Sequence, residues 1–171
     1  MKRINPATIF KASLVALVAF HFFGIIGISS RFKELFLSTT PFVLIVSIIC
    51  LFLNFKKATK SLVTLFFICS TIGYFAEVIG VNTGYLFGNY YYGENLGIKL
   101  FGVPLTIALN WAGLCIASAS VMTELKASKL VKIILAGLIP VVIDMLIEPL
   151  CSNLDFWHWT DGKVPVFNFF T

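Results

Sequence analysis

Charge is scarce in this 171-residue chain: only 12% of its residues are Asp, Glu, Lys or Arg. A soluble globular domain carries roughly a quarter. Hydrophobic residues make up 58%, and the mean hydropathy is +0.94. Too few polar groups remain to cover the surface of a water-soluble fold, and the chain is too apolar to stay disordered. Histidine is scarcer still. His21 and His158 are the only two, which excludes the histidine-rich di-iron sites of membrane desaturases and hydroxylases. The four cysteines, Cys50, Cys69, Cys115 and Cys151, are far apart and form no CxxC pair, so each reads as a small buried hydrophobe. No GxGxxG follows a strand, and no GxSxG or phosphate-binding loop occurs. No aspartate-rich DxxxD is present to hold a magnesium diphosphate. Metal-dependent, redox and prenyl-transfer chemistries therefore have no motif here, and no metal or cofactor is expected. The net charge of +5 comes from basic residues in small groups between apolar runs, which is a loop pattern rather than a nucleic-acid footprint.

What the chain does have is long apolar runs. They cover Ile9 to Ile28, Phe36 to Phe55, Leu62 to Val81, Val103 to Met122 and Leu130 to Leu150. Each approaches the roughly 20 residues that cross a bilayer as helix. Pro41 lies near the start of the second run, Pro104 opens the fourth, and Pro140 predicts a kink in the fifth. Ten-residue alternating strands are absent, which argues against a barrel. The expected fold is an all-α, polytopic membrane helix bundle forming one domain over residues 1–171. It has five spans, and Val164–Thr171 resembles the opening of a truncated sixth. His21, mid-helix, is expected to be packed and neutral.

Lys2, Arg3, Lys11, Lys56, Lys57, Lys60, Lys126, Lys129 and Lys132 fall on one side of these spans. Arg31, Lys33, Lys99 and Lys163 fall on the other. The positive-inside rule then puts the N-terminus in the cytoplasm, in a cell (inner) membrane, with the loop from Asn82 to Gly102 outside.

Three carboxylates lie within the runs: Glu77, Asp144 and Glu148. A charge there costs at least about 2.5 kcal/mol on insertion scales, so such residues mark function. Asp144 and Glu148 are four residues apart and share a helix face. Glu77 and Glu148 lie near the outer ends of their helices, so all three are expected in one outward-facing pocket. No basic residue occupies the middle of the last three runs. Burial and mutual repulsion then favour at least one protonated member, as a general acid requires. Around them stand Asn82, Thr83, Tyr90, Tyr92, Asn110, Trp111, Trp157, Trp159 and Asn168. An interfacial aromatic belt explains some of the aromatics, but not Asn110 beside Trp111 in mid-span. Gly80, Gly84 and Gly88 suggest tight loop backbone.

Together these pieces resemble a known family. They are Glu77-Val78-Ile79-Gly80-Val81-Asn82-Thr83-Gly84, Phe87-Gly88-Asn89-Tyr90-Tyr91-Tyr92, Leu96-Gly97, Gly102-Val103-Pro104-Leu105 and Asn110-Trp111. Asp144, Glu148-Pro149, Trp157, Trp159, Val164-Pro165 and Asn168-Phe169 complete the set. The stretch from about 75 to 169 is similar to the carotenoid-biosynthesis membrane proteins that include bisanhydrobacterioruberin hydratase and related carotenoid 1′,2′-hydratases. Members of that family continue past Asn-Phe with a tryptophan and another helix, whereas this chain ends at Thr171.

The resemblance implies hydration of the terminal double bond of a linear carotenoid. The residues fit that chemistry on their own terms: a buried acid to protonate the alkene, aromatic faces to stabilise a tertiary cation, and a carboxylate or amide to orient water. The expected partners are a linear carotenoid or other isoprenoid lipid, the membrane, and other carotenoid-pathway enzymes, with no nucleic acid. Two alternatives use the same residues. One is another cofactor-free carotenoid enzyme, such as a membrane lycopene cyclase. The other is a non-catalytic carotenoid or lipid carrier, or a transporter.

Overall fold

Asn5 opens the first helix by accepting the Ala7 N–H on its side-chain oxygen at 3.0 Å, with Pro6 in the first turn. The computed structural model describes residues 5–55 and 59–170. The expectations for Lys2, Arg3, Lys56, Lys57 and Thr171 lie outside them. The chain forms an all-α membrane bundle: α1 (Pro6–Ile28), α2 (Lys33–Ser38), α3 (Thr40–Leu53), α4 (Lys60–Thr83), α5 (Leu105–Thr123) and α6 (Lys129–Cys151). Of these, α1, α4, α5 and α6 have 19 to 24 residues each and are apolar enough to cross a bilayer. At 1.5 Å per residue they measure about 28–36 Å.

The second apolar run is not one helix. It breaks after Ser38 and resumes as the 14-residue α3. Pro41 sits in the first turn of α3, where its missing N–H costs nothing, whereas inside one continuous helix it would remove a backbone bond and clash with the preceding turn. Thr39 covers the frayed end by donating its hydroxyl to Phe36 O at 2.7 Å. The tail also differs from the expected opening span: Val166–Phe170 is a short 3₁₀ helix. Pro140 and Pro149 both lie within α6, which continues through them.

Hydroxyl caps begin α4 and α6. Thr59 accepts the Leu62 N–H and Ser128 accepts the Val131 N–H. Gly84 ends α4 in the left-handed region, at φ 66°, a conformation that favours glycine. α5 is the central helix, with α3, α4 and α6 all packed on it. Its small residues permit this: Ala112 is fully buried, and Gly113 takes Ile48 of α3 against its backbone. All four cysteines are free, with Cys50 and Cys151 buried. His21 is exposed on α1 rather than packed, and its Nδ1 pairs with Leu17 O at 2.8 Å.

Two short antiparallel ribbons escaped the helical reading. β1 (Tyr90–Tyr92) pairs with β4 (Trp157–Trp159), and β2 (Lys99–Leu100) pairs with β3 (Val103–Pro104). β1 follows α4 and β4 follows α6. Their pairing brings the C-terminal ends of α4 and α6 to the same end of the bundle. A core cluster of Tyr90, Tyr92, Leu96, Val103 and Ile107 fills the space beneath.

Candidate active site

Glu77 lies in the last two turns of α4, at 8% exposure. Its Oε1 accepts the indole N–H of Trp111 from α5 at 2.9 Å. The close approach of α4 and α5 makes this bond possible. Gly73, one turn before Glu77, lies directly against the Trp111 side chain, and any Cβ there would overlap it.

The other oxygen of Glu77 serves β1. Its Oε2 accepts from the Tyr90 hydroxyl at 2.6 Å and from the Tyr92 hydroxyl at 2.8 Å. Strand alternation explains the pair: residues two apart share a face, so Tyr90 and Tyr92 point inward while Tyr91 points out. Gly80 leaves room for the Tyr90 hydroxyl beside the α4 backbone. Burial first, and then the charge of Glu77, push both phenols well above the ordinary phenol range. Both therefore remain donors.

β4 repeats the arrangement on α6. Tyr90 is in register with Trp159 and Tyr92 with Trp157, so the two indoles point inward too. Glu148, also 8% exposed, accepts Trp157 Nε1 at 3.2 Å and Trp159 Nε1 at 3.0 Å on one oxygen, Oε2. Two carboxylates thus hold four inward aromatic side chains of one ribbon. The Tyr90 and Trp159 rings are 5.2 Å apart.

Asp144 is one turn before Glu148 and half-buried. Its Oδ2 accepts the Asn168 side-chain amide at 3.1 Å. It lies close enough to Glu148 and Glu77 for their charges to act on it, and the Tyr92 phenol feels both Glu77 and Asp144. Among the described residues, the only ion pairs are Lys99–Glu94 and His158–Asp155, so no cation neutralises the three carboxyls. The geometry brings together Glu77, Asp144, Glu148, Tyr90, Tyr92, Trp111, Trp157, Trp159 and Asn168.

Three other candidates stand apart from these bonds. Asn82 is exposed and donates its amide to Val78 O and Phe101 O, at 2.8 and 3.0 Å. Thr83 is exposed and donates to Ile79 O. Asn110, half-buried on α5, adjoins Trp111 in sequence, but makes no hydrogen bond to any of the three carboxyls.

A second layer supports the ribbon from the aqueous end. Asp155 Oδ2 accepts the Glu94 backbone N–H at 2.8 Å, and its Oδ1 pairs with His158 Nε2 at 2.8 Å. The Glu94 N–H, then the His158 bond, hold the Asp155 carboxyl below the usual carboxylate range. Gly93 packs so tightly on Asp155 that a side chain would collide with its backbone. On the outward face His158 stacks on Tyr91, with centroids 5.1 Å apart. Sequence reasoning passed over Asp155 and His158. The alternation in Trp157-His158-Trp159 is too short to identify a strand from sequence.

No curated protein and no solved structure matches the chain. The family model described as "Carotenoid biosynthesis protein" matches residues 39–171, a range that contains every residue of this site. The chain belongs to the carotenoid biosynthesis protein family.

Proposed function

We propose that this protein is a carotenoid hydratase, adding water across the terminal double bond of a linear carotenoid end group by carboxyl acid–base catalysis. The observation that carries this reading is the unequal hydrogen bonding of three neighbouring carboxyls. Glu77 receives three donors on two oxygens, Glu148 receives two indole donors on Oε2, and Asp144 receives one amide donor on Oδ2. Donors directed at a carboxylate favour its charged form. Glu77, engaged by donors on both oxygens, is therefore the fixed acceptor of the set, and Asp144, whose Oδ1 accepts from no donor among the described residues, is the proton donor in this reading.

The steps balance without a change of oxidation state. Asp144 transfers its proton to the less substituted carbon of the terminal alkene, and the π pair forms the new C–H bond. The adjacent carbon becomes a tertiary cation. The charges of Glu77 and Glu148, with the indole faces of Trp157 and Trp159, stabilise it. A water held near Asp144 and Asn168 attacks the cation. The proton that this water sheds returns to the carboxyl set, which resets Asp144. The general acid step alone is worth on the order of 10²–10⁴ in rate.

A substrate dissolved in the bilayer suits a site built at one end of a membrane bundle. The test is expression in cells that accumulate a linear carotenoid, followed by mass analysis of the pigments. A product heavier by one water supports the hydratase reading. A product of unchanged mass identifies a cyclase or isomerase instead, and unchanged pigment with retained binding identifies a carrier.

A further inference from the structure

The β2–β3 hairpin has an apolar outer face that the catalytic reading does not use. Ile98 is 80% exposed, Leu100 50% and Phe101 66%. Strand alternation separates them from Lys99, which turns inward and donates to Tyr92 O at 2.8 Å. Phe101 and Gly102 form the two-residue turn, at φ 51° and 81°, the positive pair of a tight hairpin. A phenylalanine with positive φ is uncommon, and here it holds a large apolar side chain outward at the tip.

The hairpin lies along a membrane span. Tyr74 of α4 donates its hydroxyl to Leu100 O at 2.7 Å, Asn82 donates to Phe101 O at 3.0 Å, and Gly102 faces Val81. Tyr74 is nine residues before Thr83, the end of α4, or about 14 Å along the axis at helical rise. The Tyr74 hydroxyl therefore reaches the hairpin from within a bilayer core of about 30 Å, while Val81 and Asn82 meet its tip in the last turn of α4, so the hairpin lies at the edge of that core. Backbone carbonyls in lipid have no water to accept from, so non-helical chain survives there only where protein groups satisfy it. The two carbonyls at the tip of this hairpin have such donors, both from one spanning helix.

We infer that the β2–β3 hairpin inserts its apolar tip into the edge of the bilayer core. Ile98, Leu100 and Phe101 contact the acyl chains of the bilayer, and Tyr74 and Asn82 supply the hydrogen bonds that water would otherwise make to Leu100 O and Phe101 O. The partner surface is lipid hydrocarbon, and the hairpin forms a wall between that lipid and the cluster of Tyr92, Val103 and Ile107. This inference stands whether or not the protein is a hydratase.

The test uses the full chain in phosphatidylcholine vesicles containing a lipid with a photoactivatable diazirine on its acyl chain. Crosslinked peptides are mapped by mass spectrometry. The peptide carrying Ile98–Phe101 is expected to label as heavily as the one carrying Leu146, which is 70% exposed on α6. A lipid with the diazirine on its headgroup should label the Tyr85 loop and spare Phe101. Tyr74→Phe combined with Asn82→Ala should lower acyl labelling of the hairpin while leaving the Leu146 peptide unchanged. Headgroup labelling at Phe101, or none from either lipid while Leu146 is labelled, would overturn the inference.

Discussion

Tyr90 and Trp159 are register partners on one two-stranded ribbon, yet their polar ends bind different carboxylates. The Tyr90 hydroxyl reaches Glu77 on α4 at 2.6 Å, and the Trp159 indole reaches Glu148 on α6 at 3.0 Å. The ribbon therefore ties together two helices whose main packing partner is α5. Glu77 is a structural residue apart from any proposed chemistry, because three donors converge on it. Glu77→Leu should destabilise the protein by on the order of 3 kcal/mol or more, since it leaves buried donors without an acceptor. Tyr90→Phe, which removes one donor and keeps the ring, should cost about 1 kcal/mol. Thermal unfolding in detergent measures both, and equal effects would contradict the convergence.

The proposed division of labour among the carboxyls gives a kinetic prediction. Asp144→Asn keeps the shape and removes the acid, so hydration should fall by about 10²–10⁴ with thermal stability near that of the parent. Glu148→Gln retains an acceptor oxygen for the two indoles and should lose less. Asn168→Ala, which frees Asp144 Oδ2, should change the pH profile of hydration more than the protein level. Full activity in Asp144→Asn would remove it from the donor role.

Much of this site was legible in one dimension, and the rest was hidden by distance. Glu77, Asp144 and Glu148 stand out because carboxylates are costly in apolar helices. Trp111 stands out because no interfacial belt explains an Asn-Trp pair in mid-span. The ribbon did not stand out. Tyr90 and Trp159 are far apart in the chain, and three-residue strands are too short for alternation to register. The same limit hid Asp155, whose role exists only once β4 returns to Glu94. Asn82 and Thr83 show the converse. Their side chains are spent on backbone carbonyls around the end of α4, a use that residue type alone does not distinguish from ligand binding.

The close approach at Gly73 can be tested directly. Gly73→Ala places a methyl group against the Trp111 indole, and overpacking of this kind typically costs about 1–3 kcal/mol. The displaced indole should weaken its bond to Glu77, so hydration and stability should fall together. Gly137, which has open space around it on α6, is the control. Gly137→Ala should be neutral or slightly stabilising, through helix propensity worth up to about 1 kcal/mol.

The distribution of basic residues predicts a cytoplasmic N-terminus and an external ribbon. A single cysteine at Asn89, which is exposed on the ribbon side, should react with an impermeant maleimide added to intact cells. One at Lys126, between α5 and α6, should react only after the membrane is opened. The reverse pattern would place the carboxyl site at the cytoplasmic end.

The acid limit of the ribbon depends on Asp155. Its folded carboxyl titrates below the ordinary carboxylate value, first through the Glu94 N–H and then through the His158 bond. A group whose folded value is depressed stabilises the fold above its unfolded value, near pH 3.9, and loses that contribution as pH falls through the folded one. Asp155→Asn should therefore be less stable than the parent at neutral pH. The difference should narrow as pH drops below about 4 and close once both forms are uncharged. Because the Asp155 side chain is about half-exposed, salt should shrink the difference as well. Thermal unfolding of parent and variant across this range decides the matter. A gap that stays constant with pH would mean that Asp155 acts by shape, through its packing on Gly93, rather than through its charge.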